Sequence, residues 1–280
     1  MTGFGQIKRL LLAMLPMVAL VPEACKWNDE LLVLRDGGAD QGSLCSHPPA
    51  TDTDGGLTQG LVAWYRCESA AGTAGNVLTD SSGHGHDGTL VTGAGGSPGY
   101  SFAAGKVGKA LTLNDASKGY VALPAGLLAE ACEATLATWV YINGDNNAWA
   151  RIWDFGSGTH AYMFLTRITN LDEVARFGIT TSGNTHEELV KGQTAVPFRQ
   201  WTHVAVVLGS AGVTLYFDGG VVGSNPSITI RPADLGSTTS NYIGRSQFSV
   251  DPYLNGSVDE FRIYNRALSP EEILALASAI

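Results

Sequence analysis

Two stretches of the sequence carry side chains suited to binding a hard cation. Residues 80–88 read DSSGHGHDG, and residues 254–264 read LNGSVDEFRIY. The second stretch has the period-2 pattern of a strand, and Phe261 and Ile263 mark one of its faces as buried. Counting back by two places the carboxylate of Asp259 on that buried face. Because an unpaired buried carboxylate is costly, Asp259 needs a cation, a metal or several hydrogen-bond donors.

Asp80 is the proposed counterpart of Asp259. Both offer the hard oxygen ligands that calcium prefers, and the glycines at 83 and 85 allow backbone carbonyls to turn toward an ion. If the last strand pairs beside the first, the two stretches meet, and the sequence predicts a structural Ca²⁺ held by Asp80 and Asp259. The alternative is that Asp80 caps a turn by accepting the N–H of Ser82, while Asp259 accepts backbone donors.

His84 and His86 form an HxH pair in the same stretch. Such a pair can contribute to a zinc or copper site, but two imidazoles in a loop make a poor site without a third ligand. The pattern therefore favours surface turn residues over a metal site.

Aromatic and polar residues in the middle of the chain are the predicted glycan-binding residues: Trp149, Arg151, Asn241 and Arg245. Sugars have apolar faces that stack on aromatic rings, and their hydroxyl groups pair with Asn and Arg side chains. The alternative is that Trp149 is only the tip of a loop.

Enzymatic motifs are weak in this sequence. A retaining glycosidase needs two carboxylates on one face, about 5 Å apart. Asp259 and Glu260 are adjacent in a predicted strand and are therefore expected to face opposite ways. The sequence HEE at 186–188 lacks the second histidine of a zinc-protease helix, and no GxSxG, P-loop or dinucleotide motif occurs. The sequence predicts a non-catalytic domain, with a divergent glycoside hydrolase or lyase as the alternative.

Composition sets the class of protein. The 280 residues include 35 glycines and few charged side chains, which suits an all-β protein rich in tight turns. The net charge of −9 argues against nucleic-acid or anionic-membrane partners, since phosphate binding needs clustered Lys and Arg.

The N-terminus is typical of an export signal. Lys8 and Arg9 precede an apolar run over residues 10–21, too short to span a bilayer. Ala24-Cys25 is similar to the end of a lipoprotein signal, although Pro22 and Glu23 depart from the usual residues. We therefore predict a signal peptide at 1–24 and a flexible linker at 25–59. The protein would be secreted or, with a lipid on Cys25, held at the cell envelope as an outer-membrane lipoprotein.

Four cysteines are present: Cys25, Cys45, Cys67 and Cys132. In an oxidising compartment they are expected to form disulfides. If Cys25 is lipidated, Cys67 and Cys132 form the natural pair; if it is not, Cys25–Cys45 closes a second loop. Both schemes contain a Cys67–Cys132 bridge.

The globular part is predicted to be a series of strands with one terminal helix. Strands are expected at 61–66, 110–114, 120–123, 134–142, 151–155, 161–166, 175–180, 201–208, 213–217, 221–223, 241–245 and 254–264. The strands at 134–142 and 201–208 are apolar on both faces, so they should be central, with Trp139 and Trp201 in the core. Ser269, Pro270 and Glu272 form a capping box that starts the helix.

From residue 60 to the C-terminus, these segments resemble the laminin-G-like, concanavalin A-like jelly-roll domains of bacterial secreted and surface proteins. The matching segments, in order, are GLVAWYRCE, DSSGHGHDGTL, GKVGKALTLND, YVALP, ATLATWVYI, WTHVAVVL, VTLYFDGGVVG, YIGR and LNGSVDEFRIYNRALSPEEI. The resemblance implies an all-β, two-sheet antiparallel sandwich with its first and last strands in one sheet. Family members often hold calcium near the region of Asp80.

The resemblance is specific for fold and much less so for function, because this sandwich hosts lectins, adhesion domains and some glycosidases. The sequence predicts an exported, non-catalytic binding module that recognises a carbohydrate or a cell-surface protein. An adhesion domain that contacts only proteins is the alternative.

Overall fold

The computed structural model describes residues 56–72, 75–93, 98–144 and 148–279. The chain divides into two compact units, Met1–Ser46 and His47–Ile280, and every described residue belongs to the second. The predicted signal peptide, nearly all of the predicted linker, and Cys25 with its predicted lipid lie outside the described residues. Within the described ranges, no helix is both long and apolar enough to cross a membrane.

The described residues form sixteen β-strands and one α-helix, α1, besides two short 3-10 turns. The strands are β1 Leu61–Ala71, β2 Val77–Asp80, β3 Gly88–Val91, β4 Tyr100–Ala104, β5 Lys109–Leu113, β6 Tyr120–Leu123, β7 Ala134–Ile142, β8 Arg151–Gly156, β9 Tyr162–Thr166, β10 Arg176–Thr180, β11 Glu188–Lys191, β12 Trp201–Gly209, β13 Gly212–Phe217, β14 Gly220–Asn225, β15 Ser240–Ile243 and β16 Gly256–Tyr264; α1 is Pro270–Ser278.

Antiparallel pairing joins the strands into two layers. Sheet 1 has the order β2-β1-β16-β7-β12-β13-β14, and β5 with β4 extends from β16; sheet 2 has the order β3-β6-β15-β8-β9-β10-β11. Pairing of β2 with β3 links the layers. The predicted two-sheet antiparallel jelly-roll sandwich is confirmed, and so is the predicted pairing of the last strand with the first.

The central core fills the space between the sheets. Sheet 1 contributes side chains such as Val140, Val206 and Phe261, and sheet 2 contributes Trp153 and Ile243, all completely buried. Because strand side chains alternate, the residues next to these in sequence point to the outer face of their sheet. The outer faces therefore carry the strand side chains that remain available for binding.

Helix α1 covers part of the outer face of sheet 1. Ile273 and Leu276 pack against Ala137 of β7 and Ala205 of β12. These central strands are therefore buried on both faces, as their two-sided apolar pattern predicts. The capping box is present as well: Ser269 Oγ accepts the N–H of Glu272, whose carboxylate accepts the N–H of Ser269.

The two tryptophans of these strands are on the outer face, not between the sheets. Trp139 is buried, whereas Trp201 is only half-buried and packs against Tyr141 with ring centroids 5.6 Å apart and the rings tilted by 57°. The expectation of a core position is confirmed for Trp139, on the second buried face of its strand, and is wrong for Trp201, which stays half-buried.

The predicted Cys67–Cys132 disulfide is wrong. Cys67 is a free, buried thiol whose Sγ donates to the carbonyl of Tyr65 at 3.5 Å. Its backbone adopts a left-handed conformation, φ +59°, and its side chain joins the central core. Cys25 and Cys45 lie outside the described ranges, and the alternative Cys25–Cys45 bridge stays a prediction.

Candidate functional site

Asp80, a predicted calcium ligand, ends β2 and holds a turn together. Its Oδ1 accepts the N–H groups of Trp64 (2.9 Å) and Ser82 (2.8 Å), and its Oδ2 accepts the Ser82 hydroxyl (2.7 Å) and the His86 N–H (2.9 Å). Burial raises the pKa of Asp80, but these hydrogen bonds outweigh it, so the net pKa lies below its ordinary value. Asp80 therefore caps its turn by accepting the N–H of Ser82, as the alternative interpretation of the sequence predicts.

Asp259, the second predicted ligand, lies on a β-bulge of β16. Its Cα pairs with that of Trp139, whereas Arg262 pairs with Ala137, so three steps along β16 oppose two along β7. The extra residue is Glu260, which has a left-handed φ of +52°. The bulge breaks the alternation, so Asp259 points to the outer face while Phe261 points to the core. The prediction that Asp259 shares the face of Phe261 is therefore wrong.

The carboxylate of Asp259 is completely buried beneath the turn that joins β4 to β5. Its Oδ2 accepts the N–H groups of Lys106 and Val107, both at 2.9 Å, and Oδ1 has no partner among the described residues. Gly105 permits this approach, since a Cβ there would lie 2.7 Å from Oδ2. Burial raises the pKa of Asp259 to about 6, although the N–H of Val107 opposes the shift.

These geometries do not fit a calcium ion shared by Asp80 and Asp259. Strand β1 lies between the strands that carry them, and each carboxylate already accepts its own set of hydrogen bonds from neighbouring donors. His84 is exposed and stacks on His86, whose Nδ1 lies 2.9 Å from the Val62 carbonyl. No group of three or more metal-ligating side chains occurs within the described ranges. The predicted structural calcium ion itself stays a prediction.

Arg151, a predicted glycan-binding residue, is buried beneath the segment 246–254. Its guanidinium is 2% exposed, lies 3.9 Å from the ring centroid of Phe164, and pairs with Asp154 and Asp251 at 3.2 Å each. Burial raises the pKa of Asp154 to about 6, with Arg151 opposing the shift. Arg151 therefore positions this segment and is not available at a rim, which corrects the prediction.

Trp149 precedes Arg151 in a left-handed conformation, φ +71°. Its indole Nε1 donates to Asn170 Oδ1 at 2.8 Å, and the guanidinium carbons of Arg151 and Arg176 lie 5.5 and 5.3 Å from its ring centroid. The ring is half-buried, so it is partly accessible in the loop between β7 and β8.

Asn241 points inward and takes no part in a rim. Its Nδ2 donates to the carbonyls of Pro124 (2.7 Å) and Thr238 (3.3 Å), and its side chain is 1% exposed. Asn241 alternates with Tyr242 along β15, and Ile243 lies in the core beyond. The prediction of a ligand-binding role for Asn241 is therefore wrong, because the pleat turns its neighbour outward instead.

Arg245 lies in a group of half-buried aromatic side chains on the outer face of sheet 2. We call Tyr120, Tyr242, Tyr253 and Arg245 the tyrosine cluster. The rings of Tyr242 and Tyr253 are centred 5.4 and 6.0 Å from that of Tyr120. The Arg245 guanidinium lies 4.7 Å from the Tyr120 and Tyr242 centroids, and its Nη1 donates to the Tyr120 hydroxyl at 2.7 Å.

Alternation places the tyrosine cluster at the surface. Val121 and Leu123 of β6 lie in the central core, so Tyr120 and Ala122 point outward beside Tyr242. The sequence reasoning missed these tyrosines because they come from distant positions. The alternating YVAL and SNYI patterns, each ending in a core residue, were the signal that placed Tyr120 and Tyr242 on one outer face.

The rest of the same outer face is filled. The N–H of Gln247 donates to Asp154 at 3.2 Å, and Phe248 meets Tyr162 edge-on with centroids 5.5 Å apart. The segment 246–254 thus covers β8 and β9, and its Tyr253 reaches Tyr120 of β6, whose ring stays half-buried.

Residues 115–274, more than half of the sequence, match the laminin G family described as the concanavalin A-like lectin/glucanases superfamily. The chain belongs to this superfamily. Within it, the sandwich described above is the expected architecture, and the laminin-G-like resemblance read from the sequence is confirmed.

Solved structures share the fold. Domain 4 of AbnA, an extracellular arabinanase from Geobacillus stearothermophilus solved with arabinotriose, superposes with a TM-score of 0.62 at 24% identity, covering 78% of this chain and 98% of that one. A mutant Trypanosoma rangeli sialidase superposes with a TM-score of 0.57 at 19% identity, covering 79% of this chain and 33% of the sialidase. At these identities, the likeness concerns the fold alone.

Curated relatives match over short segments. An α-L-arabinofuranosidase of Bifidobacterium longum is 31% identical over 67 residues, 24% of this chain and 6% of that enzyme. Human adhesion G-protein coupled receptor D1 is 39% identical over 79 residues, 28% of this chain and 9% of the receptor. The superfamily member described here therefore aligns with less than a tenth of each relative's length.

Proposed function

We propose that this chain is an exported, non-catalytic carbohydrate-binding module whose tyrosine cluster contacts the sugar. The single observation that carries the proposal is the half-buried group of three tyrosine rings on an outer face of the sandwich, two of which, Tyr120 and Tyr242, contact the Arg245 guanidinium. Tyrosine combines an apolar ring with a polar hydroxyl, which suits a ligand with C–H faces and hydroxyl groups.

The contacts within the cluster support a preorganised surface. Arg245 uses Nη1 on the Tyr120 hydroxyl and stacks on two rings, so its orientation is set before a ligand arrives. Its other N–H groups can donate to sugar hydroxyls. Rigid side chains lose little conformational entropy on binding, which favours affinity for a small ligand.

The location of the buried carboxylates supports a non-catalytic role. Asp154 and Asp259 have raised pKa values of about 6, as a general acid requires, but both are completely buried. Asp154 lies beneath the segment 246–254, and Asp259 lies beneath the turn at Lys106. A glycosidic bond has no path to either group in this conformation.

Binding of arabinotriose to the full chain, measured by isothermal titration calorimetry and followed by a glycan array, tests the proposal. Arabinotriose is the first probe because it is the ligand of the AbnA domain, whose fold this chain shares. We expect Tyr242→Ala and Tyr120→Ala to weaken binding about tenfold, the loss of roughly one aromatic contact. Tyr141→Ala, a half-buried tyrosine on the outer face of sheet 1, is the matched control and should change affinity less than twofold.

A protein-binding adhesion domain is the second candidate function. The observation that favours it is the filled outer face over β8 and β9, where segment 246–254 leaves no groove for a glycan. A glycan array without signal would reject the carbohydrate proposal and leave this alternative.

A further inference from the structure

A cleft opens on the outer face of sheet 1, on the opposite side of the sandwich from the tyrosine cluster. Trp139, His203, Glu260 and Arg262 line it, and Leu276 of α1 closes one side. Its volume of about 10 Å³ is room for a single water-sized group. We call it the bulge cleft, because the β-bulge of β16 turns Glu260 toward it.

The conformation of Glu260 is unusual for its residue type. A non-glycine residue with φ near +52° is strained and persists only where its surroundings hold it. Here the Glu260 carboxylate accepts the Arg262 Nη2 (2.6 Å) and the Trp64 indole N–H (2.8 Å), with Arg66 Nε at 3.8 Å. The bulge therefore gathers two arginines and a tryptophan at one place on the outer face.

The surroundings of the bulge cleft are rich in cations although the chain carries a net charge of −9. The Arg262 guanidinium lies 4.5 Å from the Trp64 ring centroid, and Lys106 Nζ lies 4.4 Å from that of Trp139. Arg66 is 49% exposed beside Trp64. Glu260 is the one carboxylate among the cleft's described lining residues, and Arg262 already pairs with it.

His203 supplies an independent sign of a ligand. Its side chain is 2% exposed, lines the bulge cleft and packs edge-on against Trp139, yet its Nδ1 has no partner among the described residues. A buried polar atom without a hydrogen bond is costly, so an incoming polar group that reaches it gains an unusually favourable contact. Burial, and then Arg262, lower the pKa of His203 to about 3, so the ring is neutral.

We propose that the bulge cleft is a second saccharide site, which binds the carboxylate of a uronic-acid residue. One carboxylate oxygen enters the cleft toward His203 and Arg262, because the cavity admits a single small group. Arg66 and Lys106, at the surface, face the remaining negative charge, and the half-buried Trp64 ring offers an apolar surface to the sugar. Arginine is suited to this role since its planar fork matches a carboxylate.

Calorimetry with the full chain tests the proposal, using trigalacturonate and its methyl ester as probes. The two probes have the same sugar skeleton, and esterification removes the negative charges and adds a methyl group to each carboxyl. We expect trigalacturonate to bind at least tenfold more tightly than the ester, and raised salt to weaken it. Arg66→Ala, at an exposed position, should weaken trigalacturonate binding up to about fivefold, the size of a surface ion pair.

Three further variants make the test decisive. Arg262→Ala should weaken trigalacturonate binding more than Arg66→Ala does; because Arg262 is largely buried, its folding is checked by circular dichroism, and Arg262→Lys should restore part of the binding. Lys191→Ala, a 54%-exposed cation on β11 outside both proposed sites, should leave trigalacturonate binding unchanged. Equal affinity for acid and ester, no effect of Arg66→Ala, or equally tight binding of inorganic sulfate would each overturn the proposal.

The two sites can fail separately. Trigalacturonate binding that depends on Arg66, together with no binding of arabinotriose or any arrayed neutral glycan, would support the bulge cleft and reject the tyrosine cluster. Loss of trigalacturonate binding in Tyr242→Ala, with no loss in Arg66→Ala, would reject the bulge cleft and assign acidic sugars to the tyrosine cluster.

Discussion

Asp259 and Glu260, neighbours in the chain, both lie on the outer side of sheet 1. In a regular strand their side chains would face opposite sides of the sheet, but the bulge gives Glu260 a φ of +52° and turns its side chain toward the bulge cleft. Val107, whose N–H donates to Asp259, also lines this cleft. The expectation that the pair faces opposite sides is therefore wrong. Of the two carboxylates, Asp259 is completely buried.

The bulge residue itself provides the first prediction. Glu260→Ala leaves the Arg262 guanidinium and the Trp64 indole N–H without their acceptor and keeps a Cβ in the left-handed region. We expect a loss of about 2–3 kcal/mol in the free energy of unfolding, measured by urea denaturation. Glu260→Gln, which keeps an acceptor oxygen, is the control and should cost less; equal losses would show that the two hydrogen bonds contribute nothing.

The raised pKa of Asp259 predicts a pH dependence of stability. The carboxyl has a pKa near 6 in the folded chain against an ordinary value of 3.8, so between these values the folded state binds more protons than the unfolded state. Protonated Asp259 therefore adds to the free energy of unfolding at pH 4. This contribution, on the order of 2–3 kcal/mol, is lost as the pH rises through 6. Asp259→Asn removes this titration.

Urea denaturation at pH 4.5 and 7.5 checks that prediction. The difference in unfolding free energy, pH 7.5 minus pH 4.5, should be more positive in Asp259→Asn than in the parent chain. Asp154 titrates in the same direction and remains in both proteins, so it cancels in the comparison. An identical pH dependence in the two proteins would mean that Asp259 has an ordinary pKa.

The turn at Asp80 predicts a strong effect of mutation without a role for calcium. Asp80→Ala removes the acceptor for Trp64, Ser82 and His86 and should lower the unfolding free energy by about 2–4 kcal/mol. Asp87 is exposed, and its side chain accepts one hydrogen bond, from the Asp80 N–H. Asp87→Asn is the control and should lower the unfolding free energy by less than about 1 kcal/mol.

Calcium is tested on the parent chain separately. Since four donors already satisfy the Asp80 carboxylate, we expect any difference in melting temperature between CaCl₂ and EGTA to be the same in Asp80→Ala as in the parent chain. The CaCl₂ concentration is about 1 to 10 mM, which covers weak extracellular sites. A rise in melting temperature with calcium that disappears in Asp80→Ala would show that this carboxylate does bind the ion.

The burial of the free Cys67 thiol predicts that it is protected from alkylation in the folded chain. Burial raises the pKa of this thiol, with Asp259 adding to the shift, so little thiolate forms and reagents cannot reach it. Iodoacetamide should leave Cys67 unmodified in the folded chain and modify it in urea, as read by peptide mass spectrometry. A peptide linking Cys67 to Cys132 would contradict the structure.

Local patterns in the chain were enough to predict much of the architecture. The two-sided apolar runs of β7 and β12 and the capping box at Ser269 depend on neighbours within a few residues, and the structure has all three. The Ser82 partner of Asp80 was among the alternatives for the same reason: it is two residues away. Four strands, β2, β3, β4 and β11, are absent from the strands that the sequence predicts.

Longer-range features depended on how the strands meet. Period-2 counting assumes that one residue opposes one, so the extra residue at Glu260 put Asp259 on the wrong face. The tyrosine cluster joins positions 120, 242 and 253, and Arg151 is buried by Asp251, a hundred residues later. Sequence alone therefore determined the class of fold, its central strands and its helix cap, since these follow from local periodicity and hydrogen bonding. Only tertiary structure decided which polar side chains reach the surface, because register, bulges and covering segments arise from contacts between distant residues.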